Sequence, residues 1–157
     1  MLQRKQTIYL FFAGLITIIL LFISFGKFEI EGISCFQYDA FSVKTITEKE
    51  VVMSTIGNAL LLIASAALSF IAIFLYHNRK LQIRLISLNM FVILLAIFTI
   101  LYVYPEFVLP KNPNFYDATL KYDYIFLICF VSPLGLFLAR KAIRNDEAML
   151  RQANRLR

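Results

Sequence analysis

Two long apolar runs dominate the pattern of hydrophobic and polar positions along this chain. Residues 51–76 and 85–105 contain no charged side chain, and the short basic segment 77–84 separates them. At a helical rise of about 1.5 Å per residue, each run is long enough to cross the roughly 30 Å hydrocarbon core of a bilayer. The pattern predicts two membrane-spanning helices joined by a turn at the membrane surface.

Two further uncharged runs flank this pair. Residues 8–26 follow a basic start, as in a signal peptide, but they exceed its usual apolar core of about 7–15 residues and end without an A-x-A-like cleavage site. We therefore predict an uncleaved first span. Residues 124–139 are short for a span, but Tyr122 and Arg140 are placed to anchor its two ends. Pro133 predicts a kink in this helix.

The predicted fold is an all-α membrane protein. It is a four-transmembrane-helix bundle with a short outer loop region and a C-terminal cytoplasmic amphipathic helix, in one domain over residues 1–157. The predicted spans cover residues 8–26, 50–76, 85–104 and 122–139, and the predicted tail helix covers 140–157.

The connections carry local signals. Alternating polar and apolar residues in 27–50 are compatible with a short β-hairpin or with an irregular loop on the span ends. Thr47 and Glu50 fit a capping box, which predicts that the second span begins near Glu48. Pro105 is expected to end the third span, and residues 106–121 form a turn-rich connection.

Composition supports a membrane protein. Hydrophobic residues make up 60% of the 157 residues and charged residues 17%, which is more apolar than soluble domains usually are. The net charge of +6 would favour nucleic-acid binding in a soluble protein, but here the basic residues cluster between the apolar runs. Eleven of the 16 Lys and Arg lie in the N-terminal segment, the 77–84 break and the tail. The positive-inside rule therefore predicts that both termini and this break face the cytoplasm, and we expect no nucleic-acid partner.

One face of the second predicted span carries small and polar side chains. Asn58, Ser65, Ser69 and Ala72 recur at helical spacing. Helices in lipid associate through small residues and polar contacts, so this face is expected to pack against another helix. The alternative is that alanines only dilute the span.

Reactive constellations are missing from the sequence. No ionisable residue lies in the middle of a predicted span, His77 is the only histidine, and Cys35 and Cys129 cannot form a disulfide framework. No nucleophile–base set and no glycine-rich phosphate loop is present. We therefore expect no enzymatic activity, no metal and no cofactor.

Three segments resemble a known family. Residues 1–10 and 78–85 resemble the opening and central turn of small four-span inner-membrane proteins of the Bacteroidota, and residues 143–151 with 154–157 resemble their tail. This family is described only as a domain of unknown function. The resemblance implies a bacterial inner-membrane protein with both termini in the cytoplasm, and it implies no activity.

The leading functional hypothesis is a non-enzymatic accessory or structural subunit of a larger bacterial inner-membrane complex, with membrane lipids and other membrane-protein subunits as partners. The alternative is a lipid- or hydrophobic-ligand-binding membrane protein. The residues expected to contact a partner or lipid come from the second span, the basic break and the start of the tail: Asn58, Ser65, Ser69, Arg79, Lys80, Arg84, Arg140, Lys141 and Arg144.

Overall fold

A computed structural model of the chain describes residues 5–30, 33–108 and 118–155. These residues form four α-helices and five β-strands. The helices are α1 (Lys5–Leu20), α2 (Ile56–Phe74), α3 (Arg79–Phe98) and α4 (Val131–Arg155). The strands are β1 (Gly26–Ile30), β2 (Ile33–Tyr38), β3 (Ser42–Thr45), β4 (Val51–Ser54) and β5 (Thr119–Tyr122).

The all-α, four-span prediction is wrong on two counts. The described residues include a five-stranded antiparallel sheet in the order β4-β3-β2-β1-β5. By length and composition, two described helical segments are apolar enough to cross a membrane, Ile56–His77 and Arg79–Phe107, whereas the apolar helix Gln6–Leu20 is shorter. The hydropathy of the runs misled the prediction because it does not distinguish a span from an apolar segment that enters a sheet.

Four of the five strands of the sheet lie between α1 and α2 in the sequence. The antiparallel pairing of β1 with β2 confirms the hairpin alternative for residues 27–50. Strands β3 and β4 extend this hairpin, and β5 pairs with β1 from much later in the chain.

The predicted helix start near Glu48 is wrong. The Thr45 hydroxyl accepts a hydrogen bond from the Glu50 N–H at 3.1 Å, and Lys49 adopts a left-handed conformation with φ of 56°. These features form a tight turn between β3 and β4 instead of a capping box. Val51 and Val52 are β-branched and favour a strand, so β4 begins there and α2 begins only at Ile56.

Pro105 does not end the third helix. After α3, the chain continues as a π-helix over Thr99–Val108 that contains this proline. The connection after Val108 lies at residues 109–117, outside the described residues, so the turn-rich prediction there stays a prediction.

Pro133 marks a helix start rather than a kink. The chain forms a 3-10 helix over Tyr124–Phe130 and becomes α-helical at Val131. Proline is tolerated in the first turn of an α-helix because an N–H at that position would have no carbonyl partner within the helix. Residues 131–139 of the predicted last span and the described part of the predicted tail are therefore one helix, α4.

The four helices pack side by side, with α1 between α2 and α4, and α3 against both α2 and α4. Helices α2 and α3 run antiparallel, as shown by the pairs Gly57 with Tyr104 and Ala72 with Gln82. Helices α1 and α4 also run antiparallel, because Thr17 meets Ser132 while Tyr9 lies near Gly135. This arrangement places the sheet at one end of the helices. It places the start of α1, the α2–α3 turn and the far part of α4 at the other, which we call the basic end.

Candidate functional site

The predicted small-residue face of α2 is buried inside the protein. Asn58, Ser65 and Ser69 have no exposed surface. Ser65 donates to Asn89 Oδ1 at 2.7 Å, and Asn89 Nδ2 donates to Ser69 Oγ at 2.7 Å. The prediction that this face packs against another helix is confirmed, and the helix is α3 of the same chain.

Further polar contacts extend this interface between α2 and α3, which we call the α2–α3 seam, towards both ends of the helices. Gln82 Nε2 donates to the Ala72 carbonyl at 2.9 Å near the basic end. Near the sheet, Asn58 Nδ2 donates to the Tyr38 hydroxyl at 2.8 Å. Buried amides and hydroxyls are usually hydrogen-bonded, so these contacts set the register of α2 against α3 and against the sheet, although Asn58 Oδ1 and Gln82 Oε1 have no partner among the described residues.

Tyr38 joins the sheet to the helices, a role that no local sequence pattern predicted. The side chain is fully buried, packs edge-on against Phe25 with ring centroids 5.5 Å apart, and donates to the Ile100 carbonyl at 3.4 Å. Burial raises the pKa of the Tyr38 phenol above its ordinary value, and the Asn58 hydrogen bond opposes this only in part. The phenol therefore stays neutral and serves as a structural donor and acceptor.

A second polar seam lies between α1 and α4. Thr17 and Ser132 share a 2.9 Å hydrogen bond between their hydroxyls, and both hydroxyls also contact the Ala13 carbonyl. Gly135 lies against Ala13, where an added Cβ would come within 3.3 Å of the alanine side chain. Sequence reasoning missed this seam because Thr17 and Ser132 are single hydroxyls set among bulky apolar residues.

The basic residues at the opposite end divide into two groups. Lys80 and Arg84 of α3 line a cleft of about 350 Å³ together with Arg144 of α4, and Ile83 and Glu147 complete its lining. Arg79, Arg140 and Lys141 do not line it. The structure thus unites three of the six basic candidates, although Arg84 and Arg144 lie 60 residues apart in sequence.

Arg79 and Arg140 are close to this cleft in the chain. Arg79 precedes Lys80, and Arg140 lies one helical turn before Arg144. The nitrogens Arg79 Nη1 and Arg140 Nε are buried, and among the described residues they have no hydrogen-bond acceptor. This end of the molecule therefore carries guanidinium donors that the described acceptors do not satisfy.

Metal-binding and thiol chemistry find no support in the described part of the chain. No group of three or more His, Cys, Asp or Glu side chains lies close enough there to hold a metal ion. Cys35 lies half-buried in β2 and Cys129 is buried near α4, and both are free thiols. The cleft joins three cations with accessible volume, and it is therefore the candidate binding site.

Comparisons with known proteins give one match. A family model described as a domain of unknown function (DUF4293) matches residues 2–156. No curated protein and no solved structure matches the chain.

Proposed function

Because the chain belongs to the DUF4293 family of unknown function, which supplies no activity, we propose a function from its geometry. The protein is a non-enzymatic, multi-pass protein of a bacterial cytoplasmic membrane and acts as an accessory or structural subunit of a larger membrane assembly. The α2–α3 pair anchors it, and both termini face the cytoplasm with the basic end.

The placement of apolar and polar side chains carries this proposal. The outer faces of the helices expose large apolar side chains, whereas buried amides and hydroxyls lie in the seams between helices. Water-soluble proteins show the reverse arrangement, since large apolar residues are the ones they bury most often. Examples of the exposed residues, one from each helix, are Phe12, Leu60, Phe91 and Leu134.

Aromatic side chains add to this support at both ends of the apolar zone. Phe22 is 82% exposed and Tyr124 is 91% exposed near the sheet, and Phe74 is 79% exposed near the basic end. Tyrosine at the end of an apolar zone is typical of the interface between lipid and water, and the exposed Phe22 and Phe74 continue the apolar surface towards the two ends. The positive charge of the basic end supports its cytoplasmic orientation by the same rule.

The non-enzymatic part of the proposal is supported by the chemistry of the seams. The Ser65–Asn89–Ser69 cluster uses its donors and acceptors within the cluster and on the α2 backbone. Groups bonded in this way hold helices together rather than act on a substrate.

An arginine substitution tests the membrane placement. Leu94 is half-exposed on the outer face of α3 and Val51 is exposed on the sheet. Leu94→Arg should reduce the amount of protein resistant to alkaline carbonate extraction severalfold, because arginine near the centre of a spanning helix costs roughly 2.5–3.5 kcal/mol. The control Val51→Arg should leave it unchanged. In a water-soluble protein Leu94→Arg would be harmless, so equal yields of the two variants would refute the placement.

A separate experiment tests the role as a subunit. The chain, tagged and expressed at native level, should migrate on native gels in gentle detergent within a larger complex of fixed stoichiometry. Migration as a lone monomer would contradict the accessory role and leave the membrane placement standing.

Lipid binding is the second candidate function. Contact of Asn58, Ser65 and Ser69 with a lipid lacks support, because these side chains are occupied by the packing of α2 on α3 and the sheet. The observation that favours lipid binding is the basic cleft between α3 and α4.

A further inference from the structure

We infer that the cleft between α3 and α4 binds a phosphate group, as carried by the headgroup of an anionic phospholipid. The inference rests on the proposed membrane placement for the source of the phosphate. The binding chemistry itself rests on the residues that line the cleft.

The two helices present these residues on facing surfaces. Lys80, Ile83 and Arg84 follow the i, i+3, i+4 spacing that places them on one face of α3, and Arg144 and Glu147 share a face of α4. The cleft volume of about 350 Å³ is at the lower end of the range typical of small-molecule sites. A headgroup phosphate with its glycerol carbons is a ligand of suitable size for such a space.

The charge of the lining selects an anion. Three cations face one carboxylate, so the cleft carries a formal charge of +2 from its own side chains. Two of the cations are guanidinium groups, whose planar donors match the oxygens of a phosphate in pairs. Lys80 also lies in the first turn of α3, where the helix dipole adds positive potential.

The position of the cleft favours a lipid as the source. It lies at the basic end, just beyond the exposed apolar faces of α3 and α4, where headgroups of the cytoplasmic leaflet would stand. Ile83 supplies an apolar wall on the side of α3. Free inorganic phosphate has the same binding chemistry, and the experiment separates the two sources.

Single neutral substitutions in full-length protein in a neutral detergent test the site. The probes are short-chain phosphatidylglycerol and inorganic phosphate, and the readout is the shift of the thermal unfolding midpoint with probe concentration. Arg84→Gln should weaken phosphatidylglycerol binding about tenfold or more, because the loss of one hydrogen bond to a charged group raises a dissociation constant by about that factor. The matched control Lys141→Gln removes one exposed charge of α4 outside the cleft and should weaken binding far less, since its attraction is diffuse and screened by salt.

Glu147 provides a variant with the opposite sign. Glu147→Gln raises the formal charge of the lining from +2 to +3 and should strengthen phosphate binding severalfold. Without a probe, Arg84→Gln should unfold at the same temperature as the parent, because Arg84 is exposed.

The outcomes separate the possibilities. Tight binding of phosphatidylglycerol with weak binding of inorganic phosphate identifies a lipid site, and equal binding of both identifies a site for free phosphate. Equal losses in Arg84→Gln and Lys141→Gln would overturn the inference, because they would show only diffuse attraction. Since these titrations are done in detergent, their result does not depend on the carbonate extraction that tests the membrane placement.

Discussion

At the scale of single residues, one amide side chain holds the middle of the α2–α3 seam. Asn89 accepts from Ser65 and donates to Ser69, so both ends of its amide are bonded to the facing helix. Hydrogen bonds of this kind between helices in membranes contribute about 0.6 kcal/mol on average and up to about 1.7 kcal/mol. Asn89 makes two of them from a fully buried position.

The first prediction therefore concerns Asn89→Ala. The substitution leaves a cavity and removes the acceptor of the Ser65 hydroxyl, and we expect it to lower the free energy of unfolding by about 1–2 kcal/mol. The measurement is unfolding of purified protein in detergent. Ser87→Ala is the control, because Ser87 bonds only to the Ile83 carbonyl of its own helix. A loss no larger than that of the control would contradict the role of Asn89.

Two glycines give a second prediction about close contacts. A Cβ at Gly26 would come within 2.5 Å of the Lys121 carbonyl oxygen in the paired strand β5, and a backbone cannot move away cheaply. A Cβ at Gly57 would meet the Tyr104 hydroxyl at 2.9 Å, at the far end of a side chain that can rotate. Gly26→Ala should therefore destabilise the protein more than Gly57→Ala, as measured by thermal unfolding. The reverse order would show that β5 can separate from β1 at little cost.

At the scale of elements, two tyrosines of the sheet donate hydrogen bonds to backbone carbonyls of the helix that contains Pro105. Proline has no N–H, so the carbonyls four and five residues before it, those of Leu101 and Ile100, lack this donor. The Tyr122 hydroxyl donates to the Leu101 carbonyl at 2.9 Å, and the Tyr38 hydroxyl donates to the Ile100 carbonyl at 3.4 Å. The two tyrosine hydroxyls thus replace the N–H donor that Pro105 lacks, which explains why the helix continues past the proline.

The neutral state of Tyr38 leads to a third prediction. Its pKa is raised by burial in the folded protein, while the unfolded chain titrates near the ordinary value of about 10. Below about pH 10 both states hold the proton and stability does not depend on this group. Above it the unfolded state releases the proton first, so the free energy of unfolding falls as pH rises.

Tyr38→Phe is the variant that isolates this effect. It should unfold more easily at neutral pH, because Asn58 Nδ2 and the Ile100 carbonyl lose their partner. Its midpoint should then fall less steeply than that of the parent between pH 9 and 11. Tyr102→Phe, at an outward-facing tyrosine, is the control. Equal slopes in parent and Tyr38→Phe would rule out titration of Tyr38 as the cause.

The sequence predicted the helices of this fold far better than the sheet. The uncharged runs located α2 and α3, and the helical spacing of Ser65 and Ser69 identified a buried face. The pairing of β5 with β1 could not be predicted, because it joins residues about 90 positions apart without a local signal. Pro105 and Pro133 were misread because local rules cannot include a tyrosine from another element or a change of helix type.

The candidate site was predicted in part. Clustering of Lys and Arg in sequence indicated the basic end. It did not distinguish Lys80, Arg84 and Arg144, which line the cleft, from Arg79, Arg140 and Lys141, which do not. That distinction depends on the rotation of α4 against α3, which is fixed by contacts such as those of buried Ile86 and Ile143 rather than by charge.

At the scale of the whole molecule, the two ends differ in structure and in charge. One end is a sheet whose acidic residues include Glu29 and Asp39, each paired with a lysine. The other end carries the cationic cleft and the buried nitrogens Arg79 Nη1 and Arg140 Nε, which have no acceptor among the described residues. Between them lie the apolar outer faces of the helices. Such a molecule has a preferred orientation in a membrane with an anionic cytoplasmic surface, because the basic end gains about 1 kcal/mol per cation near that surface.

The fourth prediction tests this orientation by cysteine labelling. In a background with both native cysteines replaced by serine, Lys49→Cys places a thiol in the β3–β4 turn and Asn145→Cys places one on the exposed far part of α4. A maleimide that cannot cross membranes should label Lys49→Cys in intact spheroplasts, and Asn145→Cys only after lysis, because the positive-inside rule retains the basic end in the cytoplasm. Labelling of both before lysis would refute the proposal that the two ends lie on opposite sides of a membrane. Labelling of Asn145→Cys alone before lysis would keep the membrane placement and reverse the orientation, which would remove the anionic cytoplasmic leaflet as the source of a ligand for the cleft.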